Sequence, residues 1–80
     1  MFTTKLECVI SKYQVTFVAD KDSAIVLVYV SGEHGLPYTR NFYINKELLI
    51  IDWLKEVTRV DELDKGMIRM RKMLRNAWPG

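Results

Sequence analysis

The only cysteine and the only histidine of this 80-residue chain are Cys8 and His34. A thiol and an imidazole held together can act as nucleophile and base. Cys8, however, falls on the apolar side of an alternating run, where a buried thiol is inert packing. His34 stands between Glu33 and Gly35 in a break between runs and reads as a solvated loop histidine rather than a catalytic or pH-sensing group. One Cys and one His fall short of the roughly four close ligands that a zinc site needs, so no metal and no cofactor are expected. Carboxylates cluster at Asp20/Asp22 and at Asp61/Glu62/Asp64. General acid–base work needs such groups buried in a cleft; a turn and a helix start already explain these. Gly32 and Gly35 have G-x-x-G spacing, but no Lys-Ser/Thr follows and no phosphate loop is predicted. Catalysis is not expected.

The remaining chemistry is charge. Lys65, Arg69, Arg71, Lys72 and Arg75 lie in the last sixteen residues, which hold no acid. The preceding sixty-four carry seven Lys/Arg against ten Asp/Glu, so the formal +2 is an acidic body followed by a basic end. Such an end can meet an anionic protein or the phosphates of a nucleic acid, or it can simply be a solvated helix face. Five phosphate contacts would give a log–log salt slope of about −4 to −5. No aromatic platform or base-reading polar side chain is interleaved with these cations to read a sequence.

The elements that carry these residues follow from the period of the apolar positions, which changes near Asn45 from two to helical spacing. Leu6, Cys8 and Ile10 alternate against Lys5, Glu7 and Val9. Tyr13, Val15, Phe17 and Ala19 alternate against Gln14, Thr16 and Val18. Asp20-Lys21-Asp22-Ser23 is a turn of residues that bond their own backbone. Residues 24–30 are apolar on both faces and β-branched, as in a central strand. Residues 38–44 place Tyr38, Arg40, Phe42 and Ile44 on one side. Short links favour antiparallel pairing, and the runs predict a meander.

Asn45 is the expected N-cap of a first helix whose apolar face is Leu49, Ile50, Trp53, Leu54 and Val57. A second helix is expected from near Asp61, with acids early and bases late as the helix dipole favours. Gly66 either sits inside it, at a cost of about 1 kcal/mol, or ends an earlier turn. Leu63, Met67, Met70, Leu74, Ala77 and Trp78 form its stripe, opposite Lys65, Arg69, Lys72 and Arg75, with Ile68 among the charges and Met73 on the flank. Pro79 ends it. The predicted fold is α+β: an antiparallel meander sheet of three to four strands followed by two helices packed on one face. The reverse face would show Thr16, Val18, Ile25, Leu27, Tyr29 and Tyr43, either as a partner surface or buried by curling of the sheet.

Size allows one domain spanning residues 1–80. An apolar fraction of 49% with nine aromatic residues supports a core. A lone thiol fits a reducing, cytoplasmic setting. No basic start followed by a long apolar run suggests a signal peptide, and the longest apolar stretch, seven residues, falls short of the ~20 of a membrane span.

Two family resemblances are carried by layout. A sheet followed by Thr39-Arg40-Asn41-Phe42 and a short helix containing Trp53-Leu54 resembles the arm-binding domain of phage integrases, which lays a three-stranded sheet in the DNA major groove. That family's sheet is rich in Lys and Arg, whereas the strands here offer Lys5, Lys12 and Arg40. A small meander, an Arg40-x-Phe42 exit, a helix bearing Trp53 and a closing charged helix are similar to small phage-encoded inhibitors of bacterial defence, notably a type I-F anti-CRISPR protein. That resemblance implies a non-catalytic inhibitor acting in the host cytoplasm by occupying a site on a host protein or ribonucleoprotein complex. The residues expected to make such a contact come from the charge and exposed faces read above and not from the resemblance: Ile68, Arg69, Arg71, Lys72 and Arg75, joined by Tyr29 and Tyr43 on the sheet. The alternatives are a nucleic-acid-binding accessory protein using the same helix, and a homodimer through the sheet face.

Overall fold

A computed structural model describes residues 3–32 and 37–77. The expected break at His34 and Gly35, and the Trp78-Pro79-Gly80 close, lie outside the described residues.

Four strands, β1 (Thr3–Ile10), β2 (Tyr13–Asp20), β3 (Ile25–Ser31) and β4 (Tyr38–Tyr43), pair antiparallel in the order β1-β2-β3-β4. They are followed by α1 (Glu47–Thr58) and α2 (Lys65–Ala77). This is the α+β meander with two helices that the alternation and the later helical spacing predict. The register joins Cys8 to Val15, Val15 to Val30, Phe17 to Val28 and Val26 to Phe42. Each alternating apolar row therefore falls on one face of the sheet. Ile10, Val15, Phe17, Val26, Val28 and Val30 are fully or almost fully buried there, against Ile50 and Leu54 of α1 and Met67, Met70 and Leu74 of α2.

The links use residues in the left-handed region. Ser11 (φ 58°) turns the two-residue β1–β2 hairpin, and Ala24 (φ 57°) closes the β2–β3 turn. The Asp20 carboxylate accepts the Asp22 N–H at 3.0 Å inside that turn. Ala24 is thus a turn residue rather than the start of the central strand.

Both helix starts differ from expectation. α1 begins at Glu47, and Lys46, not Asn45, occupies the N-cap position, with no side-chain cap bond. The buried face of α1 is Ile50, Ile51, Leu54 and Thr58, whereas Leu49 is 56% exposed. Four consecutive apolar residues, Leu48 to Ile51, fit more than one rotation of a helix, so periodicity alone chose the wrong phase by one residue. Trp53 and Val57 flank the core as expected, Trp53 lying against Phe42 with ring centroids 5.7 Å apart.

α2 starts at Lys65, four residues later than the acid cluster suggested, so Asp61 and Glu62 lie outside it and its first turn has no acid. Asp64 caps it: its carboxylate accepts the Gly66 N–H at 2.9 Å, and its carbonyl accepts the Ile68 N–H at 3.1 Å. Leu63 falls before the helix and is 41% exposed, so it leaves the apolar stripe. Gly66 lies inside the first turn, buried where α2 crosses β1. A Cβ there would stand 2.7 Å from Ile10 Cγ1 and 3.1 Å from Cys8 Sγ. The glycine is what lets the helix come so close to the sheet.

Candidate interaction surface

α2 packs over β1 and β2 while α1 lies over β4, so the helices cover one face of the sheet and leave the other open. On α2, Met67, Met70, Leu74 and Ala77 define the buried side. At about 100° per residue, Arg71 and Arg75 then fall on the flank that meets α1, Arg69 and Met73 on the opposite flank, and Lys65, Ile68 and Lys72 between them, facing away from the core.

The α1 side of this arc is internally neutralised. Glu47 is the first residue of α1, and its Oε1 lies 3.2 Å from Arg75 Nη2 and 3.5 Å from Arg71 Nε. Arg75 Nη2 donates a hydrogen bond to it, while Arg71 Nε is buried without a hydrogen-bond acceptor among the described residues, held by charge alone. These pairs are partly exposed and contribute at most about 1 kcal/mol each. Their larger effect is on availability, because one carboxylate already faces two of the five cations. Lys65, Arg69 and Lys72 have no ion-pair partner among the described residues. Ile68 lies along the helix between Lys65 and Lys72 at 39% exposure, with Arg69 further round, an apolar side chain at the edge of a cationic arc.

The seven residues assigned to the contact do not form one surface. Tyr29 pairs with Thr39 and Tyr43 with Ile25 on the face turned away from both helices. With Val9 and Leu27 they are exposed, so the reverse face is open and the sheet does not curl to bury it. The sheet itself separates Tyr29 and Tyr43 from Ile68, Arg69, Arg71, Lys72 and Arg75. A flat partner can engage one set or the other. The sequence reading missed a third group, the exposed Leu48 and Leu49 at the start of α1. Its only sequence signal was the excess of apolar residues at the start of α1.

Cys8 is buried in the core beneath α2, consistent with a packing role. Burial pushes its thiol above the ordinary range, the Arg69 guanidinium partly offsets this, and the Asp64 carboxylate adds to it. A thiol held protonated is a poor nucleophile. Asp20 and Asp64 are engaged in turn and cap bonds. Among the described residues no group of three or more His, Cys, Asp or Glu could hold a metal ion, and no helix is long and apolar enough to cross a membrane. No protein-family model matches this chain, and comparison with curated proteins and with solved structures found no match.

Proposed function

We propose that this chain is a small non-catalytic binding protein that occupies an anionic site on a host protein or ribonucleoprotein complex, as a phage or mobile-element inhibitor would. The observation that supports the reading best is the outer arc of α2, where the exposed Ile68 lies between Lys65 and Lys72 with Arg69 further round, none of the three cations being engaged by a carboxylate among the described residues. Long-range attraction through these cations would steer association, and burial of Ile68 would supply the central anchor. The layout shared with phage-encoded inhibitors gives the reading its biological setting, the cytoplasm of a bacterial host.

A photo-crosslinking residue in place of Ile68, introduced in bacterial cells, tests it. One discrete crosslinked partner, lost when Arg69→Glu and Lys72→Glu are combined in a chain that still folds, is the expected result. A folded double variant that keeps the crosslink overturns the assignment of α2. Arg69 and Lys72 are the pair to reverse, because Arg75 already answers to Glu47.

The nucleic-acid alternative uses the same arc and differs in its salt dependence. With three available cations, binding of a short duplex should weaken with a log–log slope of about −2.7, shallower than five contacts would give. Anisotropy of labelled RNA and DNA at low and moderate salt separates the two readings: no nucleic-acid binding at low salt leaves the protein partner.

A further inference from the structure

The sheet ends at β4, and among the described residues no strand lies beyond it. The bond from the Ile44 N–H to the Ala24 carbonyl, 2.9 Å, fixes the alternation of the β3–β4 ladder. Tyr38, Arg40 and Phe42 therefore direct their main-chain groups to β3, and Thr39, Asn41 and Tyr43 turn theirs to the open edge.

Beside this edge, between β4 and the start of α1, is a cavity of about 410 Å³. Ile25, Phe42, Tyr43 and Leu49 supply apolar lining, Arg40 and Lys46 supply charge, and among the described residues no carboxylate lines it. The Arg40 guanidinium carbon stands 5.0 Å from the Phe42 ring centroid, a cation–π contact that holds it over that ring. Neither Arg40 nor Lys46 has an ion-pair partner among the described residues. Tyr43, at 66% exposure, and the exposed Leu49 stand open at the rim.

We infer that the β4 edge accepts an extended acidic segment of a partner protein as a fifth strand. Main-chain bonds to Thr39, Asn41 and Tyr43 would give it register, and alternate side chains would give it selectivity. In a strand, residues two apart share a face. The fitting pattern is therefore an apolar side chain in the cavity with a carboxylate two residues to either side, meeting Arg40 and Lys46. Charge argues against a second copy of β4 as the occupant, because antiparallel β4–β4 pairing would bring two sets of Arg40 and Lys46 together with no acid among the described lining residues to separate them. This edge is separate from the outer arc of α2, and the two can be tested independently.

The probe is the blocked peptide Thr-Glu-Thr-Leu-Thr-Glu-Thr, titrated into the ¹⁵N-labelled chain. Expected are shifts concentrated at the amides of Thr39, Asn41 and Tyr43, with slowed hydrogen exchange there. Replacing both peptide Glu by Lys should abolish binding, as should N-methylation of the edge-facing peptide amides. Arg40→Glu with Lys46→Glu should weaken binding at least about tenfold, while Arg69→Glu with Lys72→Glu leaves it unchanged. Spectra of the free variants report whether each remains folded. Absence of shifts at about 2 mM peptide, shifts centred on α2 or on the open sheet face, equal binding of the N-methylated peptide, or concentration-dependent shifts at β4 without peptide would each overturn the inference.

Discussion

Replacing Gly66 by alanine sets two opposed effects against each other at one atom. Alanine favours a helix interior over glycine by about 1 kcal/mol, and by less in the first turn. Against that, the new methyl would sit 2.7 Å from Ile10 Cγ1, 3.1 Å from Cys8 Sγ and 3.3 Å from Ile10 Cδ1, where carbon pairs prefer about 3.5–4.0 Å. Ile10 is fully buried and paired with Tyr13 in the sheet, so it has no open space into which to swing. Overpacking of a filled core costs about 1–3 kcal/mol. The net expectation is a destabilisation of about 1–2 kcal/mol, read as a fall in Tm of roughly 5–10 °C for a chain of this length. Urea unfolding followed by circular dichroism measures it, and a double-mutant cycle with Ile10→Ala locates the cause. In that background the methyl enters space vacated by the isoleucine, so Gly66→Ala should cost at least about 1 kcal/mol less than in the parent chain. A Gly66→Ala variant that melts higher than the parent, or a cycle showing no coupling, would refute the close approach of α2 to β1.

Three further outcomes follow from features already described. Glu47→Gln should change stability by less than about 1 kcal/mol; if α2 contacts nucleic acid, releasing Arg71 and Arg75 should steepen the salt slope of duplex binding by as much as about 1.8, as anisotropy at two salt concentrations would show. Burial keeps the Cys8 proton in the folded state, while the unfolded thiol releases its own above about pH 8.5. Its contribution is therefore intact below that pH and lost as pH rises, at up to about 1.4 kcal/mol per unit; urea midpoints from pH 7.5 to 10 should fall less steeply for Cys8→Ala. Arg59 closes α1 in the left-handed region at φ 60°, so Arg59→Gly should stabilise the chain by about 0.5–1 kcal/mol in thermal unfolding, the relief of side-chain strain exceeding the added freedom of the unfolded chain.

The sheet was legible because alternation places a side chain on one face without any tertiary knowledge. Val15, Phe17, Val28 and Phe42 fell where period two puts them. Helix phase was less legible. A run such as Leu48-Leu49-Ile50-Ile51 has more apolar residues than one helical face can bury, and what α1 lies against decides which two are chosen. The acids before α2 looked like a first turn because acids favour that position. Asp64 instead uses its carboxylate as the cap, so the helix cannot begin before it. On the surface, five cations in sixteen residues were plain to read, but the Glu47 carboxylate that holds Arg71 and Arg75 lies at least twenty-four positions away in the chain. Pairing at such a distance leaves no local pattern. The open edge of β4 was hidden for a related reason: strand order is a property of the assembled sheet, and Ile25 of β3, Arg40 of β4, Lys46, and Leu49 of α1 meet at one cavity only in the folded chain.

The crossing of α2 over β1 also orders events in time. Every strand pairs with its neighbour in sequence, so the meander can zip locally, with short loops to close. The side of β1 that bears Cys8 and Ile10 is different, because α2, which follows all four strands in sequence, packs over it. On a ribosome, β1 emerges before α2 and keeps an uncovered apolar flank until residues beyond Gly66 have been synthesised. Docking of α2 on β1 is thus a long-range step of folding, and until it occurs the nascent sheet presents an adhesive face of the kind that draws chaperones or neighbouring chains.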